Sequence, residues 1–252
     1  NNTASNNTAV GYQAGFSNTT GTSNAFFGWE AGYENLDGSN NSFFGSKAGR
    51  RTTSGYQNVA VGDNALYSNN TGVLNVALGF YAMRGCTTGQ QNIGIGGYAL
   101  QNIGAGNYNV GIGLGAVNGG VVSNNTGVGF SSLTATTSNN NTALGYQSGV
   151  ANTSGGGQVF IGATAGYSNT TGTANTIIGY QASYQNIVGS SITAIGYQAL
   201  TNNTASNNTA VGYQAGISNT SALGITAIGY QALYANTTGA NNSAVGFSAL
   251  KS

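Results

Sequence analysis

Four carboxylates are all that the chain offers to acid–base chemistry: Glu30, Glu34, Asp37 and Asp63. A glycosidase needs two carboxyl groups facing one sugar bond, and Glu30 with Glu34 is the pair placed to approach one another. Lys47, Arg50 and Arg51 offer a plainer reading, in which these acids are solvated turn charges paired with cations. The chain has no His, which removes a Ser–His nucleophile pair and any His metal ligand. The single Cys86 can start neither an internal disulfide nor a zinc site, and it reads as a small apolar core filler. Glycines such as Gly94, Gly96 and Gly97 precede no helical pattern, so they form no nucleotide-binding loop. No catalytic, cofactor-binding or metal-binding residue is assigned, and the chain is read as non-enzymatic with no cofactor.

The residues left with binding chemistry are aromatic. Tyr12, Trp29, Tyr146, Tyr180, Tyr197, Tyr213 and Tyr230 each directly follow a glycine, as do Phe80, Phe130 and Phe247. Brought into one column, they make a stripe that could hold a glycan or another surface. Packing within the stack or between chains explains the same column without a ligand. The Gln that follows most of these Tyr would form a second column beside them.

Such a column requires a repeat, and the sequence has one. The fifteen letters NNTASNNTAVGYQAG at residues 1–15 return unchanged at 202–216. The Gly of AVGYQAG recurs as Gly11, Gly28, Gly45, Gly62, Gly79, Gly96, Gly113, Gly129, Gly145, Gly162, Gly179, Gly196, Gly212, Gly229 and Gly246, at a spacing of 17 or 16. No insertion exceeds the period, so residues 1–252 read as a single repeat domain. The chain opens inside a repeat and is expected to be a segment of a longer fibre protein.

Just before each anchor Gly, short alternating segments rich in β-branched residues predict strands. The large residue immediately before the Gly (Val10, Phe27, Phe44, Val61, Leu78, Ile95, Ile112) is expected to face a core. A small residue, Ala or Ser, stands three after every anchor and marks a crowded corner. A unit of this length cannot bury an apolar face alone, whereas stacked units can. The expected fold is all-β: a parallel β-solenoid (β-roll or β-helix) of about 15 coils with a 16–17-residue period and two or three short strands per coil. At a strand spacing of ~4.8 Å it would be a rod on the order of 70 Å long.

Four residues before the anchor stands an Asn in twelve of the fifteen repeats: Asn7, Asn24, Asn41, Asn58, Asn75, Asn92, Asn109, Asn125, Asn141, Asn175, Asn208 and Asn242. Gln158, Ile192 and Ile225 replace it elsewhere. Asn at a fixed phase predicts a structural ladder of amides hydrogen-bonded along the stack.

Composition fits a rigid fibre better than a soluble enzyme. Charged residues are 4% of the chain, against about 25% in ordinary domains. A net charge of +1 gives no footprint for nucleic acid, and no apolar run is long enough to span a membrane. The apolar residues, 39% of the chain, keep a regular phase that disordered low-complexity sequence does not.

The segments NVAVG (58–62), NVALG (75–79), NIGIG (92–96) and NVGIG (109–113) resemble the S-V-A-I-G repeat in the heads of trimeric autotransporter adhesins. NNTAVGYQAG and TAIGYQAL are similar to repeats of bacteriophage tail-fibre proteins. The resemblance implies a left-handed parallel β-roll with three chains side by side. It also implies an extracellular, cell-surface or virion location, and a role as a shaft or head that presents or mediates attachment to a cell or host surface. The adhesin heads use a shorter coil, so the extra residues here are expected to lengthen the polar turn. The expected partners are like subunits, as a homotrimer or a filament, and a cell-surface glycan. A self-assembling structural filament without a receptor is the alternative. An ice-binding solenoid is a further one, although no Thr-x-Thr rank runs through every coil.

Overall fold

Each repeat folds as one turn of a parallel β-solenoid, and each turn carries one strand of three residues. The computed structural model describes residues 4–252, so Asn1, Asn2 and Thr3 of the opening copy lie outside the described residues. Two units are present, one ending at Asn125 and the other running from Thr126 to Ser252. The first holds β1 (Thr8–Val10), β2 (Ala25–Phe27), β3 (Ser42–Phe44), β4 (Val59–Val61), β5 (Val76–Leu78), β6 (Ile93–Ile95) and β7 (Val110–Ile112). The second holds β8 (Thr126–Val128), β9 (Thr142–Leu144), β10 (Val159–Ile161), β11 (Thr176–Ile178), β12 (Thr193–Ile195), β13 (Thr209–Val211), β14 (Thr226–Ile228) and β15 (Ser243–Val245).

Within each unit consecutive strands pair in parallel and in register, so that Val59, Ala60 and Val61 lie beside Val76, Ala77 and Leu78. There is one strand per turn, not the two or three expected, because the remaining residues turn sharp corners. Around Gly62, three side-chain-bearing residues take left-handed backbone angles: Gln57, Asn64 and Leu66, at φ 56°, 54° and 52°. The corners interrupt the β geometry but not the bonding between turns. The N–H groups of Leu66, Ser68 and Asn70 still donate to the carbonyls of Ala82, Arg84 and Thr87 in the next turn, at 2.9, 3.0 and 2.7 Å.

The anchor glycine cannot be replaced, for two reasons. Gly62 has φ +132°, and a Cβ there would lie 2.6 Å from the carbonyl oxygen of Gly79 in the following turn. Like glycines therefore stack backbone to backbone along the solenoid.

The face that the strands bury is the reverse of the one expected. The middle residue points inward: Phe26, Phe43, Ala60, Ala77, Phe160 and Ile177 are all 0–1% exposed. The large residue before the glycine points outward, with Val61 at 41% and Leu144 at 49% exposure. Strand alternation was correctly legible, but it fixes two faces without saying which is inside. The interior of so tight a turn has no room for a column of Val and Ile. It takes the small middle residue together with the Ala or Ser three after the anchor, such as Ala31, Ala48, Ala65 and Ser148, which are fully buried.

Core volume is balanced within most turns, and between neighbouring turns where Ala143 with Gly149 and Ala210 with Gly216 leave both positions small. Where the middle strand residue is large, the residue four after the anchor is small, as in Phe26 with Gly32, Phe43 with Gly49, and Phe160 with Gly166. In most turns with a small middle residue, that position fills the space: Ala60 with Leu66, Ala77 with Met83, Gly94 with Leu100. A Cβ on Gly49 would sit 2.3 Å from the Phe43 ring, and a Cβ on Gly94 would sit 2.7 Å from Met83 of the turn before. Leu66 already adopts the left-handed angle that Gly49 has, φ 52° against 58°.

Phe43→Ala alone should therefore cost about 3 kcal/mol, and Gly49→Leu alone should be at least as damaging through overpacking. The double variant, which copies the Ala60–Leu66 pair, should recover most of the loss in thermal unfolding followed by circular dichroism.

Candidate functional site

The asparagines four before each anchor form the ladder expected of them, with a more specific chemistry than amide-to-amide stacking. The side-chain oxygen of each accepts the backbone N–H of its counterpart in the next turn. This rung runs from Asn7 to Asn24, Asn41, Asn58, Asn75, Asn92, Asn109 and Asn125 at 2.8–3.0 Å. The side-chain nitrogen reaches forward to a carbonyl in the polar turn: Asn24 to Gly38, Asn41 to Gly55 and Asn58 to Gly72, each at 2.8 Å. In the second unit Asn141 accepts from the Gln158 N–H, Asn175 from Ile192 and Asn208 from Ile225. Gln158 keeps the rung going by accepting from the Asn175 N–H at 3.2 Å and donating to the Gly172 carbonyl. Asn242 donates to Asn236 and Gly239. Ile192 and Ile225 receive the rung through their backbone, but their side chains pass nothing on.

A second ladder stands seven residues after the anchor, and sequence reasoning missed it. Asn35 donates to Asn18, Asn169 to Asn152, Asn186 to Asn169 and Asn219 to Asn203, at 2.7–3.0 Å. Both ladders converge on one carbonyl per turn. The Gly38 oxygen accepts from Asn24 at 2.8 Å and Asn35 at 3.0 Å; the Gly189 oxygen accepts from Asn175 at 3.0 Å and Asn186 at 2.9 Å. The signal was present as Asn at a second fixed phase, but it was hidden in turns already rich in Asn and Thr.

The second ladder is interrupted at Thr52, Cys86, Ile103, Gly120 and Thr136. Below Thr52 and Cys86 a buried amide oxygen, on Asn35 and Asn69 respectively, has no hydrogen-bond partner, and the Thr52 hydroxyl is also unpaired. Cys86 is a buried filler, as its sequence context suggested, and its Sγ points at the Gly89 carbonyl at 3.8 Å. Burial pushes its thiol pKa up to about 12. A raised thiol pKa favours the folded state below the unfolded value and loses that contribution as pH climbs towards 12.

The aromatic column is only partly continuous. Tyr180, Tyr197, Tyr213, Tyr230 and Phe247 form one unbroken stack, with ring centroids 5.0–5.4 Å apart and planes within 19° of parallel. Tyr146 stacks on Phe130 at 5.5 Å. Tyr12 and Trp29 join no ring stack among the described residues, and Trp29 is capped by Lys47 Nζ at 4.5 Å from its ring centroid. Each ring keeps over two-fifths of its surface exposed. The accompanying Gln ladder is present: Gln198 donates to Gln181, Gln214 to Gln198 and Gln231 to Gln214, at 2.9–3.0 Å.

Glu30 and Glu34 do approach one another, and both converge on Arg50, at 2.7 and 2.9 Å. The hydrogen bond to Glu30 is the main reason that the Arg50 pKa lies above its ordinary value. Among the described residues no group of three His, Cys, Asp or Glu side chains is placed to hold a metal, and no helix is long and apolar enough to cross a membrane.

No family model matches the chain, and no curated protein or solved structure matches it either.

Filling the gap in the second ladder gives a direct test of its energetics. Thr52→Asn would offer an amide N–H to the Asn35 oxygen and an oxygen to Asn69. It should raise stability by about 1–2 kcal/mol in chemical denaturation, where a surface Thr→Asn change would be neutral.

Proposed function

We propose that this chain is a non-enzymatic segment of an extracellular fibre, at a cell or virion surface, that mediates attachment through its aromatic column. The observation that carries this reading is the stack from Tyr180 to Phe247. It presents five exposed, nearly parallel rings on five successive turns, held at fixed pitch by the turns beneath and flanked by a hydrogen-bonded Gln ladder. Aromatic faces edged with amides suit the apolar faces and hydroxyls of a neutral sugar chain. Packing into the turns themselves is not the use of these rings, because the core is filled without them.

Homotrimer formation belongs to the same proposal. The outward column before each anchor glycine leaves Phe44, Val61, Ile112, Leu144 and Ile228 more than a third exposed. Apolar columns of this kind are what neighbouring copies would cover. The same columns favour the second reading, a structural filament with no receptor, since a chain with 4% charged residues has little to hold copies apart.

Tyr197→Ala with Tyr213→Ala should lower retention on immobilised neutral glycans at least ~10-fold, since each truncation removes a stacking face, while the circular dichroism spectrum stays unchanged. Unaltered retention, together with continuous filaments of the purified chain in electron micrographs, would favour the structural filament.

A further inference from the structure

Eight of the nine charged side chains fall between residues 30 and 84, on turns that stack directly on one another. Three guanidinium groups gather there around one phenol ring: those of Arg50, Arg51 and Arg84 lie 5.8, 5.4 and 5.5 Å from the Tyr67 ring centroid. Their circumstances differ. Arg50 is consumed by Glu30 and Glu34. Arg51 is 55% exposed and reaches Glu34 only at 4.0 Å, a contact that solvent screens. Arg84 has no carboxylate within ion-pair distance among the described residues; its guanidinium lies over Tyr67 and Tyr81 instead.

The scaffold fixes this arrangement. The Arg51 N–H donates to the Tyr67 carbonyl at 2.9 Å, and the Ser68 N–H donates to the Arg84 carbonyl at 3.0 Å. Arg51, Tyr67 and Arg84 are thus carried on three successive turns at coil spacing. Beside them runs an open groove of about 510 Å³, lined by Glu34, Arg51, Thr53, Ser68, Asn70 and Thr87. Its walls carry the hydroxyls of Thr53, Ser68 and Thr87 and the amide of Asn70 beside the charges of Arg51 and Glu34.

We propose that this groove binds an acidic saccharide, with one carboxylate or sulfate held by Arg51 in its wall, a second met by Arg84 where the chain leaves the groove past Tyr67, and the sugar hydroxyls met by Thr53, Ser68, Asn70 and Thr87. Guanidinium forks match the geometry of both anions. Three hydroxyls and an amide along one wall suit the hydroxyls of a polyol. The inference shares with the proposed function only the idea of a glycan ligand. It uses none of the residues of the Tyr180–Phe247 stack, which lies in the other unit.

Calorimetric titration of the whole chain with a glucuronate-containing oligosaccharide, a sulfated oligosaccharide and a neutral oligosaccharide tests it. The acidic sugars should bind, the more weakly the higher the salt. Arg51→Gln with Arg84→Gln should weaken that binding at least ~10-fold. Glu34→Gln, which removes the competing carboxylate, should tighten it. Tyr197→Ala should leave it unchanged and should affect only retention of neutral glycans, so the two sites fail or succeed separately. Acidic sugars that bind the Tyr197→Ala with Tyr213→Ala variant, in which the aromatic site is removed, no better than the neutral sugar does would overturn the proposal. So would an arginine double variant that binds as the parent does, or inorganic sulfate that matches the oligosaccharides at equal concentration.

Discussion

An amide side chain that replaces a missing strand is what each turn depends on. The three-residue strands end abruptly, and the backbone entering and leaving them would be left with buried N–H and C=O groups unpaired. Asn four before the anchor resolves both ends at once. Its oxygen takes the N–H of the turn that follows, and its nitrogen reaches a carbonyl in the polar turn, where the second ladder adds another donor to the same oxygen. One carbonyl with two lone pairs meets two amide donors, so a turn built from polar residues becomes a closed, buried corner. Asn41 through Asn109 are fully buried, as only satisfied polar groups can be without large cost.

From this clamp the rest of the geometry follows. With the corner fixed, the space under the strand is narrow, and where the middle strand position is large the position four after the anchor is Gly or Ser, as in Phe26 with Gly32 and Ile177 with Ser183. The reciprocal sizes at the middle strand position and four after the anchor are the sequence's answer to that limit. Large apolar residues are displaced to the outside of the sheet, and aromatic and charged residues are displaced to columns on the turns. An almost uncharged solenoid thus presents separate surfaces: the Tyr stack of one unit and the arginine cluster of the other.

Much of this was legible in the letters. The period, the parallel strands, the anchor glycine, the buried Ala three after it and the first Asn ladder all follow from residues repeated at one phase. The strand's inner face was not legible by size alone, because Val61 and Leu144 are larger than Ala60 and Ala143 yet face outward. The pairing of Phe43 with Gly49 against Ala60 with Leu66 held the correct answer, but it lies in the comparison of two columns and not in either one. The second ladder was obscured by substitution at Thr52 and Cys86 and by the abundance of Asn around it. The convergence of three arginines on Tyr67 needed coordinates, since it joins residues from three turns.

Hydrogen exchange at one backbone amide tests the clamp most directly. The Asn75 N–H donates to the Asn58 side chain at 3.0 Å, whereas its neighbour Val76 donates to the backbone carbonyl of Asn92 at 2.9 Å. Asn58→Leu keeps the branching and heavy-atom count of the side chain and removes the acceptor. The account predicts that exchange at Asn75 accelerates at least ~10-fold, the equivalent of one lost hydrogen bond, with a much smaller change at Val76. Protection at Asn75 that is unchanged by Asn58→Leu would contradict it.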